Sequence, residues 1–167
     1  RFSLKGDEYE ENRHFLLAQY FRNHFNEAMK NLPIVNSAIQ IQRIEVWVTN
    51  RTGATTDTRD IVGLANLAEG GGNTLPDNNA NGLYGSISSS PAARNSTAVT
   101  SILTALGLQP VQDFEKTFAR KLGLNDYSYN PLVGYISVNQ PLQPDEVLAV
   151  AFQYSYNTLG NKTVKLV

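Results

Sequence analysis

Residues Ile39 to Asn50 read IQIQRIEVWVTN, and residues Tyr127 to Tyr156 read YSYNPLVGYISVNQPLQPDEVLAVAFQYSY. From Ile44 onward the first block alternates with a period of two, Ile44, Val46 and Val48 on one side and Glu45, Trp47 and Thr49 on the other, which is the pattern of a strand. Ile39 and Ile41 fall in the opposite phase. That offset predicts either a β-bulge near Gln42 and Arg43 or a strand covered in part on both faces. In the second block Leu148, Val150, Phe152, Tyr154 and Tyr156 share one face, and the smaller or polar Val147, Ala149, Ala151, Gln153 and Ser155 share the other.

Working outward, Leu132 to Asn139 reads as a strand joined to Val147–Tyr156 by QPLQPDE, whose prolines forbid a ladder through the turn. Leu159–Asn161 is a turn into a last strand over Lys162 to Val167. On the other side of Asn50, Arg51 to Thr58 is turn chemistry, and Ile61 to Leu67 reads as the returning strand of a hairpin.

Upstream, Phe2 to Lys5 is a short entry strand, and Asp7 with Glu10 has the spacing of a capping box. The apolar steps through Leu17, Tyr20, Phe21, Phe25, Ala28, Met29 and Leu32 predict one long N-terminal helix stopped by Pro33.

The segment Glu69 to Pro91, EGGGNTLPDNNANGLYGSISSSP, has few side chains that could pack and predicts an exposed, mobile loop. Two short helices are expected after it. The first runs through Val99, Ile102, Leu103 and Leu106 to Gly107, and the second starts at Pro110, uses Val111, Phe114, Phe118 and Leu122, and halts at Gly123. Residues 69–123 thus read as a loop and helical insertion in one α+β domain, residues 1–167, built on an antiparallel β-sheet or sandwich.

Composition bounds the chemistry. The 167 residues fit one domain, are 41% apolar and 17% charged, and carry a net charge of −1, with no electrostatic footprint for nucleic acid or an anionic membrane. The absence of cysteine excludes disulfides, thiolate metal sites and cysteine nucleophiles. Beginning at Arg1 without a signal or a long apolar run, the sequence reads as a processed chain or, by preference, an excised domain. Val147 to Tyr156 also has the length and alternation of an outer-membrane barrel strand. The charges at Arg43, Glu45, Arg59 and Asp60 on the other strands favour a soluble sheet.

Several motifs invite a chemical reading. Asp77, Asn79, Asn81 and Gly82 open like a calcium loop, yet Ser88 stands where the bidentate acid belongs, so a solvated Asn/Gly loop is the better reading. His14 and His24 are ten apart on the expected helix and lack the spacing of a metal pair. Ser86 to Ser90 lack a nucleophile elbow, and Gly70 to Gly72 lack the Lys-Ser/Thr of a phosphate loop. Asn50, Asn95 and Asn161 open formal glycosylation sequons that an Asn- and Thr-rich chain generates by chance. Trp47 with Tyr127, Tyr129, Tyr154 and Tyr156 could line a sugar-binding face, although aromatics on half-buried strands more simply form core. No catalytic, cofactor or metal residue is therefore assigned, and no cofactor is expected.

The phrases NRHFLLAQYFRNHFNEAMKNLP, IQRIEVWVTNRTG, TRDIVGLANLAE and DYSYNPLVGYISVNQPLQPDEVLAVAFQYSYN together resemble the SprA (Sov) family, the outer-membrane translocons of the Bacteroidetes type IX secretion system, also needed for gliding motility. The resemblance covers about Glu10 to Glu69 and Phe114 to Asn157, and Glu69 to Gln112 departs from it. It implies a soluble structural or interaction module of a very large barrel protein, not an enzyme, with no catalytic or ligand-binding residue to carry over. It further implies a place in the cell envelope at the outer membrane, on the periplasmic or extracellular side. Its implied partners are other domains of the translocon, an outer-membrane shuttle barrel and a periplasmic plug protein. The competing expectations are a carbohydrate-binding β-sandwich of an exported protein and, with no feature of its own, an enzyme.

Overall fold

A computed structural model describes residues 10–71, 74–158 and 161–166, the side chains only as far as residue 156. The expected entry strand at Phe2–Lys5 and the Asp7 half of the capping box lie outside the described residues, as does Val167.

The chain builds a five-stranded and a three-stranded antiparallel sheet with a few short helices. The strands are β1 (His14–Leu16), β2 (Ile39–Thr49), β3 (Thr58–Leu64), β4 (Phe114–Lys121), β5 (Tyr127–Asn130), β6 (Tyr135–Val138), β7 (Leu148–Thr158) and β8 (Asn161–Leu166). The helices are α1 (Gln19–Ala28), α2 (Leu83–Ser88) and α3 (Val99–Ala105), with a 3-10 turn at Pro91–Arg94. The large sheet has the order β3-β4-β2-β7-β8 and the small one β1-β6-β5.

The phase conflict in β2 resolves as a bulge. Ile41 pairs with Tyr154 and Arg43 with Gln153, so Gln42 is the extra residue, and its side-chain amide donates to Ser155 Oγ at 3.0 Å. The bulge restores the phase. Ile39, Ile41, Ile44, Val46 and Val48 then all stand opposite Tyr156, Tyr154, Phe152, Val150 and Leu148 on one face. That apolar face is half the core. Its upper half meets Phe21 of α1, and its lower half meets Tyr127, Ile136 and Val138 of the small sheet with Leu122.

The long N-terminal helix is not what forms. The helix is confined to Gln19–Ala28, ten residues, and His14–Leu16 before it is strand β1, paired with β6. Phe15 and Leu17, two apart, both pack on the lower core, a spacing that a strand permits and a helix does not. At the far end the helix stops at Met29, and the Asn36 N–H reaches back to the Ala28 carbonyl at 3.1 Å, ahead of a turn at the cis Leu32–Pro33 bond.

The second helix expected from Pro110 to Gly123 is instead β4, flanked on its two sides by β3 and β2. Phe114, Phe118 and Leu122 are four residues apart, and a spacing of four keeps residues on one side of a strand as well as near one face of a helix. β4 overturns two further expectations. Ile61–Leu67 is not the returning arm of a hairpin with β2, because β3 covers Thr58–Leu64 and pairs with β4 throughout its length. Nor is 69–123 wholly an insertion, since its last residues form the strand between β2 and β3.

The segment Glu69–Pro91 is more structured than its composition suggests. It contains α2, and Pro76 is fully buried with its carbonyl accepting from the Tyr154 hydroxyl. The helix through Val99–Ala105 does form where expected, and with Phe114 it makes a third apolar cluster against Val62 and Leu64. The expected strand over Leu132–Asn139 is shorter, β6, and is preceded by β5, with Leu132 to Gly134 in the turn between. Gly134 has φ +66, and a Cβ there would lie 2.2 Å from the Phe21 ring, so α1 seats its central aromatic directly on that turn. β8 pairs with β7 from Gln153 to Thr158, in keeping with the final strand read from the sequence.

Candidate functional site

The large sheet coils. β4 and β2 separate β3 from β7 in strand order, yet a Cβ at Gly63 would stand 3.4 Å from Val147 Cγ1 and 3.8 Å from Ala149 Cβ. Small residues on that face, Gly63, Ala119 and Ala149, let the strands approach. Beside this contact opens a cleft of 1290 Å³, lined by β3, by Ala149 and Ala151 of β7, and by Tyr84, Ile87 and Arg94 from the helical segment.

Trp47 stands in this cleft with three ionic neighbours, all placed by strand register. Lys121 is its direct partner on β4 and Ala149 its partner on β7, while Arg59 comes from β3. The Arg59 guanidinium lies 4.2 Å above the indole centroid and Lys121 Nζ lies 6.0 Å from it. Lys121 Nζ also donates to Glu45 Oε1 at 2.9 Å. That hydrogen bond, above all, holds the Glu45 carboxyl below its ordinary value, with smaller shares from the Trp47 side chain and the Arg59 charge and with burial opposing. Trp47 is 9% exposed and its face is occupied by a cation, an arrangement that anchors β3 over β2.

The aromatic residues considered as a sugar platform are not brought together. Tyr127, Tyr129, Tyr154 and Tyr156 face or adjoin the core, whereas Trp47 is on the opposite face of β2. Burial pushes the Tyr154 hydroxyl well above its ordinary value and, more weakly, that of Tyr127.

His14 and His24 do not share a helix as expected. His14, on β1, joins Glu10, Tyr135 and Ser137: its Nε2 lies 2.7 Å from Glu10 Oε2, and its Nδ1 lies 2.9 Å from Ser137 Oγ and 2.8 Å from the Tyr135 hydroxyl. Three of these side chains have the order carboxylate, imidazole, hydroxyl that activates a nucleophile. The setting does not suit acyl transfer, because Ser137 sits in the central strand of the small sheet, where its neighbours' N–H groups serve the ladders to β1 and β5. Tyr135 also competes for Nδ1 and stacks on the ring at 5.6 Å. The cluster clasps the chain at Glu10 onto the sheet, with Arg13 bonded to Glu10 at 2.9 Å and to the Val138 carbonyl at 3.1 Å. His24 instead bonds the Tyr20 carbonyl at 2.8 Å.

In the calcium-like loop one side-chain oxygen each of Asp77 and Asn81 is turned onto the chain itself. Asp77 Oδ1 accepts from the Asn79 N–H at 2.9 Å, Asn81 Oδ1 accepts from the Leu83 N–H at 3.1 Å, and Asn81 Nδ2 donates to the Asn66 carbonyl at 2.6 Å. Ser86, Ser88 and Ser89 bond back to α2 carbonyls or the turn before it. Gly70 and Gly71 border a small hollow where the Glu69 carboxylate accepts from the Gln19 N–H, 2.8 Å, at the start of α1. Asn95 Oδ1 accepts from Thr97, and Asn50 Nδ2 donates to the Ala54 carbonyl, so these two of the three sequon amides hold local turns, and the side chain of the third, Asn161, lies outside those described. Sequence reasoning missed the Glu10–His14 clasp and the Arg59–Trp47 pair, which join residues from different elements; alternation flagged Trp47 as facing away from the core strip but carried no sign of its cover.

No family model and no curated protein matches this chain. Among the described residues, no helix is long and apolar enough to cross a membrane.

Proposed function

We propose that this chain is a non-catalytic structural or interaction module of a type IX secretion outer-membrane translocon, serving protein export and gliding motility. One observation carries the reading: the two most specific phrases of the resemblance are partners in one ladder. Within RIEVWVTN and NQPLQPDEVLAVAF, Ile44 pairs with Phe152, Val46 with Val150 and Val48 with Leu148. The resemblance therefore falls on residues that must be compatible with one another for the sheet to form, as expected of a shared fold and not of scattered similarity.

On this reading the module lies at the outer membrane, facing the periplasm or the exterior, against other translocon domains, the shuttle barrel or the plug. The test is an in-frame deletion of the encoded segment from its chromosomal gene. Loss of cargo export and of surface movement, with the remaining protein still present in the outer-membrane fraction, is the expected result. Normal export and movement in that strain would overturn the proposal. A carbohydrate-binding role has no observation in its favour comparable to this ladder, because Trp47 is covered by Arg59 and separated from the tyrosines.

A further inference from the structure

The outer edge of β3 has the marks of a strand-accepting site. β3 ends the large sheet, and among the described residues the backbone of Arg59–Leu64 hydrogen-bonds only to β4. An unpaired edge is a template for another strand, and proteins usually blunt one with proline, a bulge or a run of like charge. β3 has none of these: its register with β4 is unbroken, it lacks proline, and its two charges, Arg59 and Asp60, are of opposite sign. Every residue from Arg59 to Leu64 lines the 1290 Å³ cleft. Side chains of a strand alternate between faces, so the cleft reaches both faces of β3.

A second feature lies at the same cleft. Val111, also in its lining, is 82% exposed and has φ +70, an uncommon conformation for a β-branched residue. The turn that holds it is closed by the Val111 N–H to the Phe114 carbonyl, 2.8 Å, and the Gln109 N–H to Asp113 Oδ2, 2.8 Å. Strained residues of this kind concentrate where a surface is used.

We propose that the edge of β3 accepts an extended segment of another polypeptide as an added antiparallel strand. The charge pattern of the edge defines the segment. Residues directly opposite one another in such a ladder share a face, so the partner needs a basic residue against Asp60, an acidic one against Arg59, and apolar or small residues against Ile61, Val62, Gly63 and Leu64. The seven residues of β3 allow a contact of about 23 Å at strand rise. The site does not depend on the export reading, because its test reads peptide binding and not secretion.

The experiment titrates the 167-residue chain with the acetylated and amidated peptide Val-Thr-Val-Val-Lys-Glu-Thr and follows amide hydrogen exchange residue by residue. Added protection confined to β3 and its flanks is expected. The same peptide with Glu in place of Lys should bind about threefold more weakly or worse, and Asp60→Lys, an exposed change, should reverse that preference while leaving the thermal midpoint of the chain in place. Unchanged β3 exchange at millimolar peptide, or a preference indifferent to Asp60→Lys, would overturn the site. So would protection, in dilute protein without peptide, of the outward β3 amides that do not bond to β4, or protection that grows with protein concentration alone, which would assign the edge to the chain itself or to a second copy.

Discussion

The hydroxyl of Tyr154, fully buried in β7, donates to the backbone carbonyl of Pro76, 78 residues away in the sequence. That bond ties a polar, glycine-rich stretch to the centre of the core. Its partner across the ladder, Ile41, lies beside the bulge, so the strand pairing, the bulge and the anchored loop meet at one place.

Tyr154→Phe removes the donor and leaves the Pro76 carbonyl buried without its partner. The expected cost is about 1–3 kcal/mol. Urea unfolding measures it. Limited proteolysis supplies a second reading: within 69–91, cleavage should be the earliest in the wild type, because few apolar side chains there offset the entropy of ordering, and faster still in Tyr154→Phe. Equal cleavage rates would mean that the bond does not hold the segment.

Gly134→Ala should be strongly destabilising. The position has φ +66, and the new methyl would collide with the Phe21 ring. Strain and overpacking together predict a loss of about 2–5 kcal/mol. Phe21→Ala alone should cost about 3–5 kcal/mol as a cavity. The two sites share one space, so the double variant should lose clearly less than the sum, and additive losses would show that the clash is relieved elsewhere.

Acid should weaken the Trp47 cluster. The Glu45 carboxyl is held low in the folded chain, first by its hydrogen bond from Lys121. A carboxyl depressed on folding contributes stability above its unfolded value and loses it as pH falls through the folded one. Both groups of the pair are partly exposed, so the contribution is below about 1 kcal/mol. Glu45→Gln should therefore be less stable than the wild type at neutral pH, and the difference should shrink as pH drops below the ordinary glutamate value and vanish once it has passed the lower value of the folded chain. A difference that is constant from neutral to strongly acidic pH would remove the ionic explanation.

Millimolar calcium should leave the thermal midpoint unchanged. Asp77 and Asn81 already direct oxygens to the Asn79 and Leu83 N–H groups, and a calcium ion requires about six to eight oxygen ligands. A rise of several degrees that disappears in Asp77→Ala would make the loop a cation site.

Local alternation was enough to read β2 and β7 and to mark a break in phase near Gln42 and Arg43, because a period of two and its break are recorded in adjacent side chains, while the choice of a bulge over a strand covered on both faces came from the pairing with β7. The helix at Val99–Ala105 was legible for the same reason, through its apolar spacing and Gly107. β4 was not. Phe114, Phe118 and Leu122 satisfy both periods, and the choice between them rests on whether neighbouring edges can pair with the backbone. β1 was hidden likewise, since Leu17 fits the apolar stripe of the helix that follows and the three residues of β1 are too few to display an alternation of their own.

The sequence by itself determined which residues form the apolar strip on β2 and β7, where the helical turn of α3 lies, and that no cysteine chemistry is open to the chain; these depend on residue type and near-neighbour spacing. Tertiary structure alone decided that β4 enters between β2 and β3, that Arg59 covers Trp47, and that Tyr154 holds Pro76. Each of those outcomes joins segments far apart along the chain. Their free energy comes from pairing backbone groups and burying surface between elements, which no local pattern records.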